Sequence, residues 1–307
     1  MTSDTSDTLS ASAHPGRVAL RVGSLDRVVP FYREVTGLEA TREGNQVQLG
    51  IDGSALLELQ EVPDAPERAP EEAGLFHVAF LYPNRAALAD RLVRVEASEY
   101  ELSGASDHNV SEALYLRDPE GNGVELYCDR PREQWPQAED GTVDIDTLPL
   151  DLSDLSRADG ERPTNSHKGD DSGDITEGTD ADADSETRAP AGTTIGHVHL
   201  ESIDLARVEG FYVDGLGLRV RARYGEGGTF LAAGEYHHHL GLNSWNARSE
   251  PASDGRGLAW FEFVLPGGET LDRVAERLAE RGHTVDRGGE RTVVTDPDGI
   301  ELRLGTA

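Results

Sequence analysis

The sequence predicts an α+β protein of four βαβββ-like modules in two halves, with an acidic linker between the halves. Three observations lead there. The first is a long repeat. Gly16-Arg-Val-Ala-Leu-Arg-Val22 is followed by Phe31-Tyr32 and Gly37-Leu38, and Gly196-His-Val-His-Leu200 by Phe211-Tyr212 and Gly217-Leu218. The second is a fainter repeat. Gly74-Leu-Phe-His-Val-Ala-Phe80 leads to Asp118-Pro-Glu-Gly and Glu125, and Gly257-Leu-Ala-Trp-Phe-Glu-Phe263 leads to Asp296-Pro-Asp-Gly and Glu301. The third is a polar stretch between the two copies, rich in Asp, Ser, Thr and Gly and almost free of large apolar residues.

Each element follows in order. Residues 1–14 are polar and read as a disordered tail. The first domain, 15–131, holds two modules: an alternating run, a helix over 25–35 and a glycine exit, then a second run with a helix over 85–95. Its last strands, Ala113-Leu-Tyr-Leu116 and Val124-Glu-Leu-Tyr127, flank the turn at Asp118-Pro-Glu-Gly, where Pro119 presets φ and Gly121 tolerates a positive one. The linker spans 132–192. Val143, Ile145, Leu148, Leu150 and Leu152 are expected to pack along a domain. From about 151 the linker cannot bury enough surface to offset the entropy of ordering, so disorder is expected and His167 reads as inert. The second domain, 193–307, repeats the plan, with helices over 205–213 and 270–281.

Composition excludes several classes. The 307 residues include 58 acidic and 28 basic ones, a formal charge of −30, and Lys168 is the single lysine. That field repels nucleic acid and anionic membranes, so neither is expected as a partner. The acidic excess resembles that of proteins from salt-accumulating halophiles, which bears on solvation and not on fold. Cys128 is the one cysteine, which excludes an internal disulfide or a thiolate metal cluster and fits a reducing cytoplasm. No apolar run approaches the roughly 20 residues that span a bilayer, and the start of the chain has no signal-peptide core.

Residues 108–125 carry the most chemistry. A histidine, a tyrosine and a carboxylate lie around one tight turn, and the adjoining strands let Tyr115 and Glu125 share a surface. Alternation puts Glu125 and Tyr127 on one face. A carboxylate at the centre of a strand needs a partner, because an unpaired buried charge is costly, and a metal would supply it.

These residues carry a resemblance. The βαβββ repeats with Gly-His-Val-His-Leu and Asp-Pro-Glu-Gly-Asn-Gly-Val-Glu resemble the vicinal oxygen chelate superfamily: glyoxalase I, fosfomycin and bleomycin resistance proteins, and extradiol ring-cleaving dioxygenases. The resemblance covers both halves and not the linker. Residues 108–125 are similar to the extradiol dioxygenase motif, in which His, a hydrophobe and Tyr, Pro, Gly and Glu recur at this spacing. Ser106 departs from it at a position usually held by Gly, Asn, Thr, Ile or Val. The run Gly234-Glu-Tyr-His-His-His and the tandem layout are similar to the catechol 2,3-dioxygenase group of the CatE type. The fold implied is two glyoxalase/extradiol-dioxygenase-like half-barrel domains.

In such half-barrels the resemblance places metal ligands on the first strand of each of two modules and the last strand of one. The first-strand positions are Arg17, His77, His197 and Trp260, and the last-strand glutamates are Glu125 and Glu301. Pairing modules one with two and three with four gives no set of two histidines and a carboxylate. Pairing two with three gives His77, His197 and Glu125, a facial triad suited to non-heme Fe(II), and leaves Arg17, Trp260 and Glu301 in a metal-free pair. A within-half site using His197, a histidine of 237–239 and Glu301 stays open.

By resemblance His108 is the acid/base group, which suits a histidine's pKa near neutrality. Tyr115 then binds the substrate or oxygen, and His199 orients ligands. If 237–239 is extended, His237 and His239 share a face opposite His238, and they are expected on the substrate side.

The implied activity is an Fe(II)-dependent extradiol dioxygenase acting on an aromatic diol and O2, in a chain able to form homo-oligomers. One alternative is a glyoxalase-type lyase or isomerase using Zn, Ni or Mn, for which Glu58 is a further candidate ligand. The other is a drug-binding protein without turnover.

Overall fold

The structure, a computed structural model, describes residues 8–138, 140–158, 188–289 and 291–306. Most of the expected linker disorder, with His167, lies outside the described residues. The first module comprises β1 (His14–Val22), α1 (Leu25–Thr36), β2 (Glu39–Glu43), β3 (Gln46–Ile51) and β4 (Ser54–Glu61). The second comprises β5 (Gly74–Tyr82), α2 (Arg85–Ala97), β6 (Gly104–Asp107), β7 (Ser111–Arg117) and β8 (Gly123–Asp129). In the linker lie β9 (Leu148–Pro149) and a short helix, α3 (Leu152–Arg157).

The third module begins with β10 (Thr194–Glu201) and α4 (Leu205–Gly210), continues through a π-helical turn at Phe211–Leu216, and ends with β11 (Arg219–Tyr224), β12 (Gly228–Ala232) and β13 (Leu240–Asn243). The fourth holds β14 (Gly257–Leu265), α5 (Gly268–Glu280), β15 (Val285–Asp286), β16 (Thr292–Thr295) and β17 (Glu301–Thr306).

Helix starts follow capping chemistry. The Asn84 side chain accepts from the Ala87 N–H, and Asp204 from the Arg207 N–H, each satisfying an amide that has no partner within its helix. The helix expected over 205–213 is α-helical only to Gly210. Beyond it the turn widens, and the Gly217 N–H reaches back five residues to the Tyr212 carbonyl.

Two sheets form, and each takes one module from each half. One runs β15-β16-β17-β14-β1-β4-β3-β2, joining modules four and one; the other runs β11-β12-β13-β10-β5-β8-β7-β6-β9, joining three and two. Both curl into half-barrels. At each centre the first strands pair antiparallel, β1 with β14 and β10 with β5. A matched pair of bonds ties one sheet to the other. The Tyr32 hydroxyl of module one donates to Asp118 of module two at 3.1 Å, and Tyr212 of module three to Asp296 of module four at 2.9 Å. One apolar cluster, including Phe31, Tyr32, Phe80, Phe211, Tyr212, Phe261 and Phe263, packs through both sheets.

The segments expected to be loose are ordered in part. Leu9 and Ala13 are buried, and the Leu9 N–H bonds the Gly217 carbonyl at 2.9 Å. In the linker, Trp135 and Val143 join Val110, Ala232 and Tyr236 in a small apolar cluster with Ile145 packed against it, and β9 pairs with β6. Burial pushes the thiol of Cys128 up to about 12, helped by Glu112 and Asp129, so it is not a nucleophile at neutral pH. Among the described residues no helix is long and apolar enough to cross a membrane.

Candidate metal centre

The second sheet brings three of the expected residues to one point. His197 of β10, Ala79 of β5 and Glu125 of β8 lie in one row across the ladder. The small side chain of Ala79 on the middle strand leaves room above it for the flanking groups. His77, two residues before Ala79, projects from the same face. A bulge in β10 spans Ile195 to His197, where the Tyr127 ring crosses the strand. A Cβ on Gly196 would stand 1.7 Å from the Tyr127 hydroxyl, so glycine is required beside His197.

The ligand-capable atoms converge. His77 Nε2 lies 2.9 Å from Glu125 Oε2, His197 Nε2 3.1 Å from the same oxygen, and the two nitrogens 3.2 Å apart. All three residues are buried. Two ligands at right angles on a metal with bonds of about 2.1 Å stand about 3.0 Å apart, so the three separations match one face of an octahedron. Burial pushes His197 down to about 4 despite the neighbouring Glu125, so at neutral pH its imidazole is uncharged and can offer a lone pair. The buried Glu125 carboxylate thus faces an imidazole that does not neutralise it, and a bound cation would. Donor set and geometry both fit a divalent transition metal.

The triad lies on a cavity of about 320 Å³ with a mainly apolar lining that includes Phe76, Phe230, Tyr224 and Trp245. His108 and Tyr115 line it as well. The ladder sets Tyr115 directly opposite Glu125, and the Tyr115 hydroxyl lies 2.6 Å from His108 Nε2. His108 Nδ1 lies 2.6 Å from the carbonyl oxygen of Asp146. A carbonyl only accepts, so Nδ1 carries the hydrogen and a neutral His108 takes the tyrosine O–H at its bare Nε2. Burial, reinforced by Glu125, keeps the Tyr115 phenol well above its usual range and therefore protonated. Asp146 belongs to the linker, as do Ile145 and Thr147 on the cavity wall. The apolar pattern of 143–152 was the sequence signal that this stretch packs; its place over the cavity was not encoded in any motif.

His199 faces the same cavity, directly opposite His77 across the ladder, and burial pushes it well below the usual histidine range. His237 and His239 do not line the cavity; His238 does. The alternation expected for 237–239 fails because those residues precede β13 in a loop. His237 turns to Asp129, with Nε2 2.9 Å from Oδ1, and His239 stacks on Tyr236. His238 packs its ring 4.1 Å from that of His197.

Glu301 lies in the first sheet, paired with Arg303 at 2.7 Å, and does not approach the triad. There Trp260 is covered by Arg303 at 4.0 Å and Arg17 at 5.6 Å, where the second sheet has its histidines. Glu58 is also in the first sheet, accepting from Gln60 at 2.7 Å, so it adds nothing to the His77, Glu125 and His197 group.

The Glyoxalase/Bleomycin resistance protein/Dioxygenase superfamily profile matches residues 14–126 and 194–304. The chain is 36% identical over 292 residues to the catechol-2,3-dioxygenase of Bacillus subtilis (strain 168), spanning 92% of this chain and 94% of that one. It is 34% identical over 101 residues to biphenyl-2,3-diol 1,2-dioxygenase 3 of Rhodococcus globerulus, 30% of this chain and 53% of that protein. Among solved structures, glyoxalase I from Zea mays superposes with a TM-score of 0.55 at 16% identity, over 95% of this chain and 92% of that one, a likeness of fold.

Proposed function

The chain belongs to the glyoxalase/bleomycin resistance protein/dioxygenase superfamily, and from that premise we propose that it is an Fe(II)-dependent extradiol dioxygenase that inserts O2 into a catechol-type diol. The observation that carries this reading is the triad of His77, Glu125 and His197 on an aromatic-walled cavity, with His108, Tyr115 and His238 beside it. The catechol-2,3-dioxygenase relative, matched along nearly the whole chain, supports the substrate class.

His77, Glu125 and His197 would hold the metal, and three protein donors would leave it open to the substrates. When bound, the iron provides the path by which the diol's electrons reach dioxygen. Phe76, Phe230 and Trp245 receive the flat ring and exclude water from the reacting face. His238, whose pKa burial keeps low, accepts a proton from a diol hydroxyl. Tyr115 holds its proton on the phenol oxygen and directs it to His108 Nε2, which leaves that oxygen to accept a hydrogen bond from a hydroxyl of the substrate.

Protein purified without oxygen is expected to retain iron and to consume O2 on addition of catechol, with loss of the diol's absorbance. A tightly held Zn, Ni or Mn with no uptake would favour the glyoxalase-type reading. Absence of any bound metal would overturn both.

A further inference from the structure

His238 is joined to a string of buried polar groups. Its Nδ1 lies 2.7 Å from Nδ1 of His237, and His237 Nε2 lies 2.9 Å from Asp129 Oδ1. Asp129 closes β8, four residues beyond Glu125, and its side chain is 27% exposed. The same carboxylate oxygen accepts from the Tyr236 hydroxyl at 3.1 Å, and Tyr236 meets the Tyr127 hydroxyl at 3.0 Å. Tilted ring contact with Tyr236, with centroids 4.1 Å apart, and packing against Trp135 hold the His237 ring.

We propose that Asp129 and His237 are positioning residues that fix the tautomer of His238, leaving its Nε2 bare toward the cavity. A carboxylate only accepts hydrogen bonds, so Nε2 of His237 carries a hydrogen. The proposal includes an uncharged His237, whose other nitrogen, Nδ1, is then an acceptor. The contact between the two Nδ1 atoms needs one hydrogen, and it therefore resides on His238 Nδ1. His238, also neutral, is left with an unprotonated Nε2, the form that a proton acceptor requires. The opposite order would make His238 a donor to the cavity and useless as a base. The role as a base rests on the dioxygenase reading, whereas the tautomer does not.

The test uses metal-free protein labelled with 15N in its histidine rings, with His238 resonances identified from a His238→Gln spectrum. The account expects a protonated Nδ1 and a bare Nε2 on His238. A hydrogen on Nε2 instead would overturn it. His237→Phe is expected to give His238 a mixture of tautomers. In iron-loaded protein it should lower kcat at least about tenfold while KM for catechol and iron content hold, the mark of a lost proton acceptor. His237→Gln, whose amide oxygen accepts from Nδ1–H, is expected to restore both readouts and covers the case in which the phenylalanine variant does not fold. Unchanged tautomer and unchanged kcat in both variants would also overturn the assignment. The expected tautomer without O2 uptake would leave this assignment standing and remove the dioxygenase reading.

Discussion

The Nε2 atoms of His77 and His197 face each other at 3.2 Å although 120 positions separate the two residues in the chain. The antiparallel pairing of β5 with β10 makes this contact, by joining the second module to the third across the linker. Neither half of the chain contains the triad. Both halves must fold, and fold together, before the three residues can meet.

Tyr115→Phe removes the hydroxyl at 2.6 Å from His108 and leaves both the triad and the apolar packing in place. Iron content is expected to stay at the wild-type level, stability to fall by about 1 kcal/mol, and kcat to fall about a hundredfold. Metal analysis, urea unfolding and oxygen-uptake kinetics on the same preparation check the three parts. Loss of iron would mean that Tyr115 supports the ligands.

Asp296 gives a pH dependence of stability. Burial pushes its carboxyl up to about 7, against the bonds it accepts from Ile300, Tyr212 and Asp298. In the unfolded chain an aspartate titrates near about 3.9. Between those values the folded protein holds a proton that the unfolded chain has released. This group therefore favours folding at the acid end, and its contribution declines as pH rises toward 7. Urea unfolding at pH 5 and pH 7 should show that decline in wild type and a shallower one, by a few kcal/mol, in Asp296→Asn. Equal slopes would contradict it.

The net charge of −30 predicts a salt response. Raising KCl from 0.1 to 1 M shortens the screening length from about 10 to 3 Å, which weakens the repulsion among surface carboxylates. The melting temperature is expected to climb by several degrees in calorimetry. A flat or falling trend would show that exposed ion pairs such as Arg188 with Glu39 outweigh the repulsion.

What the sequence made legible was what periodicity and ligand chemistry control. Four modules, their helices and the His77, His197, Glu125 set follow from repeat positions and from which first strands keep a histidine. His108 and Tyr115 were legible because their spacing surrounds one turn. His238 was not, because alternation holds only for extended, paired backbone, and residues 237–239 lie in a loop where Asp129 and Tyr236 decide which ring turns inward. Nor was the linker's part in the cavity. Ile145 was apolar in a polar stretch, but the bond from His108 to the Asp146 carbonyl involves main chain, which no side-chain pattern reveals.

His77, Glu125 and His197 are proposed to hold the metal together. Iron per chain in anaerobically purified His77→Ala, Glu125→Ala and His197→Ala, measured beside His239→Ala, tests it most directly. Each of the three triad variants is expected to lose its iron while remaining folded, and His239→Ala to keep it. Full iron in His197→Ala, or its loss in His239→Ala, would overturn this ligand set.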